Sequence, residues 1–182
     1  MGNASNISLG AGTLYVAALG STEPTDVTTA LAAAWKEIGY TEEGSEISIE
    51  VSSDPVEVAE EIDPVLHVMA GRTVSISFAM AENTARNLTL ALNGGTVSTA
   101  DGVTSYEPPA PSAAQRVMIV FVSEDGQERW IFRQCFQAGT VSVARRKGAD
   151  KVTIPVEMRA EKPAGKQAFK VLFKDSRSGG TI

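Results

Sequence analysis

A single cysteine, Cys135, stands in the 182 residues, so no intrachain disulfide can form and a secreted fold held by oxidative cross-links is excluded. A single histidine, His67, rules out a multi-histidine zinc centre and leaves a Ser-His-Asp arrangement with one candidate base and no spacing to support it. Aromatic residues make up only 6% of the chain, which calls for an aliphatic core. No run approaches the ~20 apolar residues of a membrane span, so no membrane anchor is expected. The opening MGNASNISLGAGTLYVAAL has no basic residue ahead of its short apolar run, unlike a secretory signal. Met1-Gly2 begins like a myristoylation site, but Asn6 stands where that pattern needs Ser or Thr. These absences point to synthesis in a reducing cytoplasm, with residues 1–12 as a flexible polar arm.

What is present suffices for one domain. Hydrophobic residues make up 43% and charged residues 21%, and a chain of this size buries roughly two-thirds of its unfolded surface. The net charge of −6 is unevenly spread. Residues 1–90 hold thirteen acids against Lys36, Arg72 and Arg86, a net of −10; residues 91–182 hold nine acids against thirteen bases, a net of +4. The bases, among them Arg129, Arg133, Arg145, Arg159 and Lys170, are spread through apparent strands. They fit a solvated strand face or a charge-complementary contact between copies.

Periodicity predicts a mainly β fold. Thr13 to Ala18 reads as a glycine-bounded strand. Asp26 is placed to cap an Ala-rich helix over Thr28 to Ile38, with Gly39 as its C-terminal stop. From Glu46 the pattern has period two, with Ile47, Ile49 and Val51 on one face, until Pro55 ends or bends the strand. Val65 to Met69 reads as a short extended piece and Thr73 to Met80 as a strand. Ala81 to Leu92 reads as a packing helix stopped by NGG. From Gly94 to Ala114 periodicity is lost, predicting a long loop that reaches outward. A meander follows: Arg116 to Ser123, Glu128 to Cys135, Gly139 to Ala144, Lys151 to Ala160 and Gln167 to Lys174. Asp125-Gly126 marks a type I′ hairpin turn, with RKGAD and EKPAGK as later reversals and DSRSGGTI as a mobile tail.

The search for chemistry returns little. His67 reads as structural. Cys135, between Gln134 and Phe136 in a strand, reads as a small buried hydrophobe. Gly10-Ala11-Gly12 opens like a dinucleotide loop, but Tyr15 occupies the third glycine's place and the segment precedes a strand. Glu57, Glu60, Glu61 and Asp63 lack the glycine turn and alternating ligands of a calcium loop and read as a solvated acidic segment. Trp35, Trp130, Phe132 and Phe136 fit core or cross-strand pairs better than base stacking. No enzyme, cofactor or metal is implied.

The order of elements is more informative. A glycine-bounded first strand, the segment AAAWKEIGYTEEG, the acidic alternating ISIEVSSDPVEV, SISFAMAENTARNLTLAL, a late hairpin and a closing VTIPVEMRAEKPAGKQAFKVLFKD pair resemble, from about Gly12 to Lys174, the major tail tube proteins of long-tailed bacteriophages. The resemblance implies an antiparallel β-sandwich or half-barrel of two sheets with one flanking α-helix. It divides the chain into an arm (1–12), a single domain (13–174, with a long loop at 94–114) and a C-terminal tail (175–182). It implies a virion structural protein assembling with itself into stacked hexameric rings around a lumen that conducts DNA without binding it specifically, with a tape measure protein and a tail terminator as partners. Contacts between copies are then expected at Asn3, Ile7 and Leu9 on the arm, Tyr106, Pro108 and Pro109 in the long loop, and Arg145 and Arg146. The rival readings are a tail terminator or other virion ring protein, and an immunoglobulin-like binding module, against which the missing Cys…Trp…Cys pattern weighs.

Overall fold

The computed structural model describes residues 4–145, 147 and 150–177. Its strands are β1 (Thr13–Ala18), β2 (Lys36–Glu37), β3 (Thr41–Val56), β4 (Leu66–Met80), β5 (Thr96–Ala100), β6 (Val103–Glu107), β7 (Val117–Val122), β8 (Glu128–Gln137), β9 (Ile154–Ala160) and β10 (Phe169–Phe173). The α-helix among the described residues is α1 (Ala85–Ala91). One antiparallel sheet runs β2-β1-β7-β8-β9-β4-β3, with β10 branching from β8, and β5-β6 form a separate hairpin. The mainly β, antiparallel architecture with one flanking helix is the expected one, and the two sheets are two wings of a single ladder. They divide along β8, whose residues 128–132 pair with β10 while residues 135–137 pair with β9.

Alternation explains why β1, β7 and β8 lie at the centre. In a strand, successive side chains point to opposite faces, and here both faces are apolar. Leu14, Ile119 and Phe132 enter the main core with Ile76, Met80 and Met158. Ala17, Met118, Val120 and Ile131 form a second core on the reverse face, closed by Trp35. Helix α1 caps the main core with Leu90 and Ala91. Thr84 caps the helix, its hydroxyl accepting from the Asn87 amide at 3.2 Å, so helix formation begins at Ala85 and not at the expected Ala81.

The expected helix over Thr28–Ile38 is absent. The Asp26 carboxylate accepts from the Thr28 and Thr29 amides at 2.8 and 2.6 Å, a local turn that competes with a helical start. Trp35 is buried in the second core, with its indole N–H donating to the Thr22 carbonyl at 2.9 Å. Lys36 and Glu37 pair with Val16 and Tyr15 as β2. Burying a large apolar side chain contributes about 1.5–3 kcal/mol, which outweighs the few tenths per residue that separate ordinary helix propensities.

Four other expectations shift. The segment 94–114 contains the β5–β6 hairpin, turned at Asp101-Gly102 with φ of 52° and 75°, the two positive values of a type I′ turn. At Asp125-Gly126 a hairpin does form, but only Gly126 has positive φ (63°), and its amide donates to the Ser123 carbonyl. Residues 139–144 are not a strand, because the Gln137 side chain takes the ladder's place, accepting from the Glu157 amide at 2.8 Å and donating to the Gly139 carbonyl at 3.2 Å. Pro55 does not end its strand: β3 continues to Val56, and as the edge of the sheet it can hold a residue without an N–H.

The second core is held shut by an ion pair from outside the sheet. Glu23 receives Arg133 Nε at 3.0 Å and Lys166 Nζ at 2.7 Å, and the Arg133 hydrogen bond leads in holding its carboxyl below the ordinary value of 4.5. A depressed folded-state pKa means the contribution is full above the unfolded value and is lost as pH falls through the folded one. Glu23→Gln should therefore lower the thermal midpoint by about 2–4 °C at neutral pH. The gap to wild type should narrow as pH falls below the ordinary value of 4.5 and close once the folded-state carboxyl is protonated, as read by calorimetry across a pH series; a gap unchanged at acid pH would remove the ion pair from the account.

Candidate functional site

Strands β3 and β4 run far beyond the body that supports them. β9 pairs with β4 only from Ser75 to Met80, so the stretch from Glu50↔Thr73 to Val56↔Leu66 is a two-stranded ribbon. A two-stranded ribbon alone is marginal in water. Its chemistry is that of a surface awaiting cover. Ile47, Ile49 and Val51 share a face with Ile76, Val74 and Arg72 across the ladder. On that face Ile76 is 0% and Val74 2% exposed, whereas Ile49 and Val51 are 42% and 52% exposed. The stripe that is core inside the body continues uncovered.

Past a register irregularity between Ser52 and Ser53, Met69 opposite Ser53 carries the stripe on, while Val68, Leu66 and Val56 are exposed on the reverse face of the ribbon. Ile62, in the connection between the strands, is fully exposed and sits between the carboxylates Glu61 and Asp63. Contiguous apolar patches of this kind on a protein mark contact sites. β3 is also an open edge of sixteen residues, with Glu42, Glu43, Glu46, Glu50 and Asp54 and no base along it. Edge charges discourage pairing with an identical edge. The branch strand β10 is different: from Lys166 to Lys174 that segment carries Lys166, Lys170 and Lys174 and no acid.

The residues expected to make contacts between copies are dispersed. Asn3 and Arg146 lie outside the described residues. Ile7 and Leu9 are exposed, but the arm that bears them is tied down. Arg177 donates to the Ile7 carbonyl at 3.3 Å, to Ser8 Oγ at 3.4 Å and to the Asp125 carboxylate at 2.6 Å. Asp125 is held below its ordinary pKa chiefly by the Ser123 hydroxyl, then by the Gln127 amide. Tyr106 is half-buried and donates to the Gly94 carbonyl at 2.8 Å, anchoring the β5–β6 hairpin to its base. Pro108 is exposed and Pro109 half-buried just beyond that hairpin, and Arg145 is exposed. The apolar ribbon is the feature that reading by elements missed; its signal was the apolar run VLHVMAG placed directly ahead of the alternating strand from Thr73.

Among the described residues, the other conspicuous positions are engaged in packing or stand apart. Cys135 is buried in the main core, and burial pushes its thiol far up, so it is not a ready thiolate. His67 stands opposite Pro55 on the exposed ribbon. A cavity of about 360 Å³ beneath α1 is lined by Val16, Ile38, Leu90, Val97, Val117 and Met158. The cation at its rim, Arg86, is engaged with the Glu37 carbonyl at 2.6 Å.

Val51→Asp and Met69→Asp test the ribbon. Each side chain is already largely exposed, so the folded monomer should melt within about 2 °C of wild type, while concentration-dependent association followed by sedimentation should be lost. Association at wild-type strength in both variants would leave the ribbon without this role.

A family model described as phage tail tube protein matches residues 1–180. No curated protein matches the chain by sequence. Among solved structures, a chain of an extracellular contractile injection system, the PVC sheath-tube complex in its extended state, is 10% identical, with 96% of this chain and 100% of that one covered at a TM-score of 0.47. A chain of the anti-feeding prophage baseplate is 12% identical, covering 95% and 98% at 0.48. A chain of that particle's tube-terminating cap is 9% identical, covering 88% of each at 0.42.

Proposed function

The chain belongs to the phage tail tube protein family and is a structural subunit of the virion tail; from that premise we propose that its copies close side by side into hexameric rings and stack into a tube whose lumen conducts DNA. The observation that carries this reading is the ribbon with its acidic edge. A long, flat, unpaired edge is a liability unless another chain covers it, and closing a ring of sheets into a barrel abolishes every edge at once. In this reading the acidic β3 edge of one copy faces the basic β10 side of the next. Such a contact is heterologous, so a closing rotation makes a ring. The apolar ribbon then reaches the neighbouring ring and is covered there.

An acidic tube suits passage. Each lysine or arginine that neutralises a phosphate adds affinity through released counterions, and a conduit must not hold what it conducts. Synthesis in the host cytoplasm, a tape measure protein in the lumen and a terminator at the tube's end complete the proposal. A terminator-like ring is the alternative, distinguished by rings that form but do not elongate.

Two variants decide the contacts. Glu46→Lys with Glu50→Lys should abolish rings and tubes in negative-stain electron microscopy, and adding Lys170→Glu with Lys174→Glu should restore them; failure of the restoration would break the edge assignment. Assembly should also weaken between about 0.05 M and about 0.5 M salt, where exposed charges are screened. Deleting residues 1–10 should leave a folded monomer that no longer polymerises, with normal circular dichroism, and tubes of normal length from that truncation would refute a role for the arm.

A further inference from the structure

The second core contains a cation without a counter-charge. Arg129 lies on the face of β8 that the segment before β2 covers, and only 6% of it is exposed. Its Nη1 donates to the Asp26 carbonyl at 3.1 Å. Its Nε is buried and has no hydrogen-bond partner. No ion pair among the described residues includes it. Buried charges are otherwise paired, because an unpaired one forfeits its hydration for nothing.

The nearest carboxylates are already committed. Glu23 is held between Arg133 and Lys166, and Asp26 is turned to the Thr28 and Thr29 amides. Arg129 opens instead on a cavity of about 190 Å³, lined also by Thr22, Glu23, Asp26, Thr29 and Trp35. Of the two acids that line it with Arg129, Glu23 is already neutralised by Arg133 and Lys166, which reach it from outside the cavity, and the Asp26 carboxylate is taken up by the Thr28 and Thr29 amides.

We infer that Arg129 is the floor of an oxyanion site. A planar or tetrahedral oxyanion entering this cavity takes the free Nε donor and closes the buried charge, as the guanidinium fork does for carboxylates and phosphates. Two sources present that chemistry. One is a free ion. The other is a side-chain carboxylate from a second copy's ribbon end, where Glu57, Glu60, Glu61 and Asp63 stand exposed and no lysine or arginine occurs from Asp54 to Gly71. The second source rests on the tube reading above; the first does not.

The test has two arms, so that the site and the tube reading fail separately. In the first, dilute monomer is melted in acetate or inorganic phosphate against chloride at matched ionic strength, with Trp35 emission as a second readout. A free-ion site raises the wild-type midpoint by about 2–4 °C at saturating ion and leaves Arg129→Met unmoved. In the second, the critical concentration for assembly is measured for Arg129→Met, for Glu57→Gln with Glu60→Gln, Glu61→Gln and Asp63→Asn, and for the two combined. A carboxylate from the second copy raises it at least about tenfold in each, with no further rise in the combination. Arg129→Met also removes the unpaired charge, so its monomer should melt at or above wild type in chloride. A methionine variant that melts lower, with no effect of ion and no change in assembly, would make Arg129 a plain strut to the Asp26 carbonyl and overturn the site. A wild-type chain that never assembles would instead sink the tube reading, while the first arm still decides the site.

Discussion

The β7–β8 ladder is the constraint on which everything else hangs. Both faces of this pair are buried, so every residue from Val117 to Val122 is committed to one core or the other, and a slip of one residue would exchange the two sets. Because β8 pairs with β10 along its first half and β9 along its second, it also sets where the sheet divides. The body therefore wraps β8, and the wings end in strands with nothing beyond them: β2 and β10 on one, β3 on the other. The open edges are a consequence of how the core is satisfied.

What the sequence made legible follows from that division. Where one face or both are buried by the chain's own elements, alternation in the residues reports it directly, and β1, β7, β8, β9 and the inner half of β4 fall where periodicity places them. The NGG stop after α1 was legible as well, since capping is a local interaction, whereas the start, capped by Thr84 and four residues later than expected for the first helical residue, was not. The errors lie where a distant partner decides. Ala30 to Ala34 favour a helix locally, yet Trp35 and Ile38 are claimed by the sheet. Asp101-Gly102 carried a local hairpin signal, obscured because neither β5 nor β6 alternates apolar and polar residues: their faces are tied by hydroxyls, Ser98 to Ser105 at 2.7 Å and Thr99 to Thr104 at 3.0 Å.

The ribbon was illegible for a third reason. Its outer half has apolar residues, but none of the described residues covers them, so an apolar strand exists there without burial. A fold read from one chain treats Val65 to Met69 as a fragment, because nothing in that chain explains it. The same holds for the contact residues expected on the arm: Ile7 and Leu9 are exposed, but the arm's position is set by Arg177, which lies 170 residues further along.

Charge then separates a subunit that polymerises from one that aggregates. Apolar cover is non-directional, so exposed Val51, Leu66 and Met69 alone would favour any collision between copies. The five acids along β3 make two such edges repel, while a lysine-bearing segment such as 166–174 is the complementary surface. Under the proposed edge contact, like edges would repel and unlike edges attract, which is the condition for head-to-tail closure instead of random stacking. The acidic β3 and the lysine-bearing β10 thus lie on opposite wings of the sheet, divided at β8, and give the subunit two different sides.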